Sequence, residues 1–453
     1  MPPKAVKPVS KCLITSASLL VLAACSGDLA PIDLSITCHI GSYRTAGGGV
    51  IDLAPLSTPA LRWRSGDGRT GRLEPDGEGG WTHQLGWTDQ PHPARFALGS
   101  CDDGRIEVDG MEGLDGEASR IDFPITETEF ESGGETLVGR LILPEGEGPF
   151  PLVVLVHGSE QSSARQYYYM QRLLPARGLA TFVYDKRGTG ASSGDYTQDF
   201  HLLADDAVNA LAEARRLGGD QLGEAGYLGT SQGGWVAPLA ASQGGADFVI
   251  AAYGMAEGAL AEDREEVLLS LIEAGYGDDD AILAGGRALA AAAGRLMASD
   301  FSDSWHELAS LKRQYRDEDW YDAIEGEFTH EFLVRPIWQV WMAMPFFDKG
   351  TSWDYEPRPV LAALDIPALW ILSEDDREAP PATTRVILSE LQAEGAPIDV
   401  AVFPNSGHGM IQFDLAPDGS RLETRYAEGY FDLLVDWAQT REPADGDGDA
   451  DLQ

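Results

Sequence analysis

Gly226-Tyr227-Leu228-Gly229-Thr230-Ser231-Gln232-Gly233-Gly234-Trp235-Val236-Ala237-Pro238-Leu239-Ala240 is the stretch on which the reading of this chain turns. It passes from a short apolar segment, through a glycine-bracketed serine, into a run that opens a helix. Gly-x-Ser-x-Gly has mechanical meaning only in such a strand–turn–helix setting. The turn there is sharp, its backbone is strained, and neighbouring elements pass too close for side chains. A second pentapeptide of this form, Gly190-Ala191-Ser192-Ser193-Gly194, follows Lys186-Arg187-Gly188 among small and polar residues. Ser192 therefore reads as turn chemistry and Ser231 as the candidate nucleophile.

Working outward, continuous apolar runs recur at 152–156, 180–184, 226–229, 248–253, 368–372 and 400–403. Such runs indicate strands buried on both faces. Residues 135–143 alternate as a strand, and helical patterns at 202–217 and 382–393 separate the runs. The alternation predicts an α/β fold: a mostly parallel sheet with helices on both faces. About 255–360 differs in texture. Helical stretches near 265–274 and 281–297 precede Trp305, Trp320, Tyr321, Trp338, Trp341, Phe346 and Phe347. An insertion at that point sits over the strand ends as a helical cap. Its aromatics either line an acyl pocket or pack the cap helices together.

On a serine elbow of this kind the catalytic order is serine, acid, histidine. Three histidines follow Ser231, and His306 and His330 fall within the cap. His408 lies in Asn405-Ser406-Gly407-His408-Gly409, directly after an apolar run. A loop at a strand end suits a base that must reach a serine on another strand. The acid belongs after the run 368–372, where Glu374, Asp375 and Asp376 compete. An oxyanion hole requires backbone N–H donors, expected from Gln232 and from Ser159 in His157-Gly158-Ser159. His157 precedes the serine and is expected to support that loop.

These segments, with Tyr184-Asp185-Lys186-Arg187-Gly188-Thr189-Gly190, resemble bacterial α/β-hydrolase-fold carboxylesterases of the dienelactone-hydrolase and serine-aminopeptidase-like type. The resemblance spans roughly 140–410 and selects Asp376 as the acid, with Asp375 second. Ser373 stands where the family usually has glycine. The resemblance implies acyl-enzyme hydrolysis of a small-molecule ester. A peptidase on the same triad is the alternative, with Glu265, Glu266, Asp317 and Glu318 available for a charged terminus. An envelope binding protein that kept the fold and lost catalysis is the third reading. No HExxH and no Cys/His cluster at zinc spacing is present, so neither metal nor cofactor is expected.

The N-terminus reads as an address. Lys4, Lys7 and Lys11 precede an apolar stretch at 12–24, too short for an ordinary membrane span. It ends in Leu22-Ala23-Ala24-Cys25, which resembles the bacterial lipoprotein lipobox and implies acylation of Cys25. Residues 1–24 are then a signal peptide and the enzyme is tethered to the cell envelope, facing away from the cytoplasm. Cys38 and Cys101 remain, and in that compartment they are expected to pair. Residues 25–120 carry short strands between turns such as Asp67-Gly68 and Asp76-Gly77, predicting a small β-rich domain. The catalytic region covers 121–440. Residues 441–453 read as a disordered acidic tail, since the Asp-rich run lacks the glycine and distal glutamate of a calcium loop. The formal charge of -40 argues against a nucleic-acid partner.

Overall fold

The structure is a computed structural model that describes residues 34–442, apart from 79, 300, 337 and 343–348, together with 451–452. Residues 1–24, expected to be a signal peptide, together with Cys25, Phe346, Phe347 and the tail residues 443–450, lie outside the described residues.

The first sheet is antiparallel and contains β1 (Gly41–Thr45), β2 (Val50–Pro55), β3 (Leu61–Ser65), β4 (Thr70–Pro75), β5 (Trp81–Leu85), β6 (Arg95–Leu98), β7 (Arg105–Asp109) and β8 (Gly116–Arg120). Their order is β5-β4-β3-β2-β1-β8-β7-β6. Alternate residues Ile51, Leu53, Leu61, Trp63, Ile106 and Val108 fill one core, as the two-residue period of a strand requires. Cys38, before β1, and Cys101, before β7, are joined in a disulfide.

The second sheet holds β9 (Ile125–Ser132), β10 (Glu135–Ile142), β11 (Phe150–Val156), β12 (Ala180–Tyr184), β13 (Leu222–Thr230), β14 (Phe248–Ala252), β15 (Ala368–Ser373) and β16 (Ile398–Phe403). Their order is β9-β10-β12-β11-β13-β14-β15-β16. Of these eight strands, β10 runs antiparallel to its neighbours β9 and β12, and from β12 to β16 the pairs are parallel. One face is covered by helices Phe200–Gly218, Gly233–Ser242, Pro357–Ala363 and Pro381–Ala393. The other is covered by Tyr430–Thr440 and the short helices Ala164–Tyr167 and Met170–Leu173. Asp199 caps Phe200–Gly218 by accepting from the His201 and Leu202 amides at 3.0 and 3.1 Å. The tail departs from the disordered expectation at its end, where Asp451–Leu452 pairs antiparallel with the open edge of β16.

The chain between β14 and β15 forms the cap. Helices Ala259–Leu271, Asp280–Ala298, Trp305–Tyr315 and Thr329–Val334 enclose their own core of Val267, Leu271, Leu289, Leu296 and Phe332. Asp280–Ala298 is long and apolar enough to cross a membrane by composition, yet more than half of it is buried here. The cap aromatics divide. Trp320 and Tyr321 pack the cap interior, whereas Trp338 and Trp341 are 59% and 63% exposed.

The two sheets meet through charged anchors. Asp52, fully buried, accepts from Arg172 Nε and Nη2 at 2.7 and 3.0 Å. Arg64 stacks 3.9 Å over the Tyr169 ring and donates to the Tyr426 hydroxyl at 2.9 Å. Tyr426 ends a hairpin of Ile411–Leu415 and Arg421–Tyr426 that immediately follows His408. The Trp87 amide donates to Glu423 O at 2.9 Å, and the Tyr426 amide to Gly68 O at 2.8 Å. The N-terminal domain thus clamps the segment that continues from the candidate base.

Removing one partner of a buried ion pair strands the other charge. Asp52→Ala is expected to destabilise the chain by about 3 kcal/mol, with a smaller loss for Asp52→Asn. Denaturant titration checks this; an unchanged midpoint contradicts the anchoring role.

Candidate active site

Ser231 stands between β13 and the helix Gly233–Ser242 with φ 53°, the left-handed region that side chains other than glycine rarely adopt. Its amide donates to Ala252 O at 3.1 Å, and its carbonyl accepts from the Gly234 amide at 2.7 Å. The bracketing glycines are required by space. A Cβ on Gly229 would lie 2.0 Å from Gly233 O, and one on Gly233 would lie 2.0 Å from Val156 O. The elbow is therefore pressed against the end of β11, at the point where β12 and β13 lie on opposite sides of that strand. Crevices of this kind, at the carboxyl ends of parallel strands, are where open α/β sheets bind ligands.

The Ser231 hydroxyl lies 3.0 Å from His408 Nε2. His408 Nδ1 lies 3.0 and 3.2 Å from the two carboxylate oxygens of Asp376. Asp376 is buried, and its Oδ1 also accepts from the amides of Glu378 and Ala379 at 3.0 and 2.9 Å. Asp375 points elsewhere. Its carbonyl accepts from Arg421 Nη1 at 2.8 Å, and its carboxylate is 3.9 Å from Arg421 Nη2. The ring of Tyr253 meets His408 edge-on at 5.1 Å. His306 and His330 stay in the cap, where His330 Nδ1 contacts Ile324 O at 2.8 Å.

The second pentapeptide has no free hydroxyl. Ser192 Oγ donates to Asp185 O at 2.6 Å and accepts from the Val138 amide at 2.9 Å. Ser193 Oγ donates to Glu135 at 2.6 Å and accepts from the Thr136 amide at 2.9 Å. Both serines are fastening the loop after β12 to β10.

Beside the elbow runs the loop His157-Gly158-Ser159-Glu160. Gly158 packs so close that a Cβ on it would lie 3.2 Å from Ser231 Cβ. Among the described residues, the amides of Ser159 and Gln232 donate no hydrogen bond. Those are the two expected oxyanion donors. Residues with no role assigned from sequence hold this loop. Buried Lys186 donates from Nζ to Gly158 O, and the Tyr196 hydroxyl donates to Ser159 O at 2.6 Å. Burial lowers Lys186 to about 8, against the raising charge of Glu160. His157 is buried with Nδ1 at 3.2 Å from Glu160. Burial and then the Lys186 charge hold that imidazole below its ordinary value, against the raising contact with Glu160. It supports the loop, as expected.

Residues 153–419 match the family described as the alpha/beta hydrolase family. The chain belongs to it. This alpha/beta hydrolase is similar to Esterase FrsA of Enterobacter sp. (strain 638), 36% identical over 92 residues that cover 20% of this chain and 21% of that protein. It is likewise similar to Esterase FrsA of Escherichia coli (strain K12 / DH10B), 33% identical over 96 residues, 21% of this chain and 23% of that protein. The chain thus spans about a fifth of the length of the curated relatives it matches. Among solved structures, the Pyrococcus furiosus esterase Pf2001 aligns at TM-score 0.40 and 14% identity, covering 63% of this chain and 85% of that one. The Pyrococcus horikoshii acylaminoacyl peptidase aligns at 0.42 and 16%, covering 88% and 57%.

The cap of this alpha/beta hydrolase carries a group of carboxylates that act on one another. Glu262 and Glu266 sit one turn apart on Ala259–Leu271. Between them, buried Asp263 accepts from the amides of Phe328 and Thr329 at 3.0 and 2.8 Å and from the Thr329 hydroxyl. That clamp holds Glu327 beside Glu266. Glu378 Oε2 lies 3.7 Å from His408 Nε2. Burial first, then Glu327, Asp263 and Glu378, pushes Glu266 up to about 9. Burial, then Glu327, Glu266, Asp376 and Glu378, holds Glu262 well above the carboxylate range. Among the described residues, Glu262, Glu266 and Glu327 have no ion-pair partner. Of the other acids proposed from sequence, Glu265 pairs with Arg264 at 2.9 Å and accepts from Thr383 at 3.0 Å. Asp317 and Glu318 face solvent.

Burial alone would depress His408. The hydrogen bond and charge of Asp376, with the charges of Glu378 and Glu160, outweigh it and raise the imidazole above its ordinary value. The expected NMR titration midpoint of His408 lies above 6.5, and Asp376→Asn lowers it, because only the charges of Glu378 and Glu160 then oppose the burial penalty. A midpoint unmoved by Asp376→Asn contradicts the pairing.

Proposed function

We propose that this chain is a serine hydrolase that cleaves carboxylic esters through an acyl-enzyme, with Ser231 as nucleophile, His408 as base and Asp376 as the orienting acid. The observation that carries the reading is the continuous hydrogen-bonded line Asp376–His408–Ser231, ending on a serine held in the left-handed elbow. Similarity to proteins named Esterase FrsA supports the ester as substrate.

In this reading His408 Nε2 takes the hydroxyl proton as Ser231 Oγ attacks the ester carbonyl. The Ser159 and Gln232 amides receive the developing oxyanion, and because they have no other partner they need no reorganisation to do so. The protonated imidazole then hands its proton to the leaving alcohol. Asp376 keeps Nδ1 protonated throughout, so that Nε2 is the basic nitrogen in the resting state. Water deacylates the serine by the same route. None of these steps requires a metal or an organic cofactor.

A second reading, a serine peptidase on the same triad, is favoured by the unpaired cap carboxylates Glu262, Glu266 and Glu327. A substrate ammonium group entering there would let them ionise. Steady-state hydrolysis of short p-nitrophenyl esters and of aminoacyl p-nitroanilides separates the two. The ester reading predicts strong preference for the esters and a loss of at least about 10⁴-fold in kcat for Ser231→Ala. Anilide turnover matching ester turnover, and lost in Glu262→Gln and Glu266→Gln, selects the peptidase.

The same proposal places the enzyme on a membrane of the cell envelope. Lipid on Cys25, at about 0.8 kcal/mol per buried CH₂, would hold it there stably with more than one acyl chain. Metabolic labelling with an alkyne fatty acid is expected to mark the wild type. Cys25→Ser is expected to lose the label and leave the membrane fraction. An unlabelled wild type contradicts the anchor.

A further inference from the structure

We infer that Lys186 and Tyr196 are positioning residues that set the direction of the Ser159 oxyanion donor. This rests on the acyl-transfer reading above. Gly158 C=O and Ser159 N–H belong to one planar peptide unit, and in a trans peptide the two bonds point in opposite directions. Whatever holds the Gly158 oxygen therefore aims the Ser159 hydrogen.

Lys186 Nζ is the group that holds it. The residue follows β12 and is buried, and its ammonium sits 5.4 Å over the Tyr196 ring. The next peptide is fixed in turn by the Tyr196 hydroxyl on Ser159 O, so both carbonyls flanking Ser159 are tied to the segment 185–196. That segment is itself rigid. Asp185 accepts from Ser163 Oγ at 2.7 Å and from the Arg165 and Ala191 amides at 3.1 Å. Arg187 Nε donates to buried Asp206 at 2.8 Å. Gly188, at φ 69°, lets the backbone of Tyr196 approach to where a Cβ would be 2.1 Å from its nitrogen.

The choice of a cation has a second consequence. A charge-assisted bond to a carbonyl polarises the whole peptide and makes its N–H a stronger donor. Lys186 thus acts on the oxyanion through the Gly158–Ser159 peptide and touches no reacting atom.

The test compares Lys186→Met and Tyr196→Phe with wild type in kcat, KM and inhibition by phenylboronic acid, whose tetrahedral serine adduct carries the oxyanion. Removing a donor outright costs about 10²–10³ in kcat, so misdirecting one through its support is expected to cost about 10- to 100-fold. Lys186→Met is expected to show that loss in kcat with KM within about twofold, and a proportional weakening of boronate binding. Tyr196→Phe shows a smaller loss of the same pattern. It removes one oxygen from a half-buried ring and keeps the test available if Lys186→Met fails to fold. A purely structural role would lower the melting temperature without making boronate affinity track kcat/KM, and that result overturns the inference. So does full kcat in both variants. A wild type with neither ester turnover nor boronate binding overturns the underlying acyl-transfer reading instead.

Discussion

The close approach of β13's last turn to the end of β11 is the constraint from which the site follows. With oxygens where Cβ atoms would be at Gly229 and Gly233, the Ser231 elbow can seat itself only because those residues are glycine. The same contact brings Gly158 against Ser231, so that the loop carrying Ser159 runs beside the elbow. His408 and Asp376 arrive on the loops after β16 and β15. Loops at the ends of parallel strands need only reach across neighbouring strands to meet. The positive φ of Ser231 is the local cost of presenting the hydroxyl, on the order of 1 kcal/mol, and the packed sheet holds it.

Around that centre the rest of the chain works as support. The turn Asp185–Gly190 places one side chain on each of three neighbours: Asp185 on the helix start at Ala164, Lys186 on the Gly158 carbonyl beside the elbow, Arg187 on Asp206 of the long covering helix. The N-terminal domain pins the hairpin that follows His408, and Arg421 of that hairpin holds the Asp375 carbonyl next to the triad acid. A domain whose sequence carries no catalytic motif thereby holds the hairpin that borders the proposed base and acid. The cap contributes electrostatics. Its carboxylates Glu262 and Glu266 lie close enough to each other and to Glu327 that burial and mutual repulsion raise both above the ordinary carboxylate range.

Much of this was legible in the sequence because it is written locally. Continuous apolar runs gave the buried strands, and the context of Ser231, unlike that of Ser192, is a strand followed by a helix. The decision between Asp375 and Asp376 was not local. Adjacent residues leave a strand end in different directions, and only the Arg421 contact and the position of His408 separate them. The cap acids were also out of reach. Glu262 and Glu327 are far apart in the chain and meet only because Asp263 clamps the Phe328–Thr329 amides, so a solvated acid such as Asp317 looks identical from sequence. Lys186 was visible as part of a family-like motif, but its bond to Gly158 joins segments 28 residues apart. The aromatic content of the cap left acyl pocket and helix packing as equal alternatives, and Trp320 and Tyr321 serve the cap's own core.

The central claim is that Ser231, and no other serine, is the activated nucleophile. Treatment with a fluorophosphonate followed by peptide mass spectrometry tests it most directly. The account predicts one covalent adduct per chain, located on Ser231 and lost when His408 is replaced by alanine. An adduct on Ser192, or no adduct on the folded wild-type protein, would contradict it.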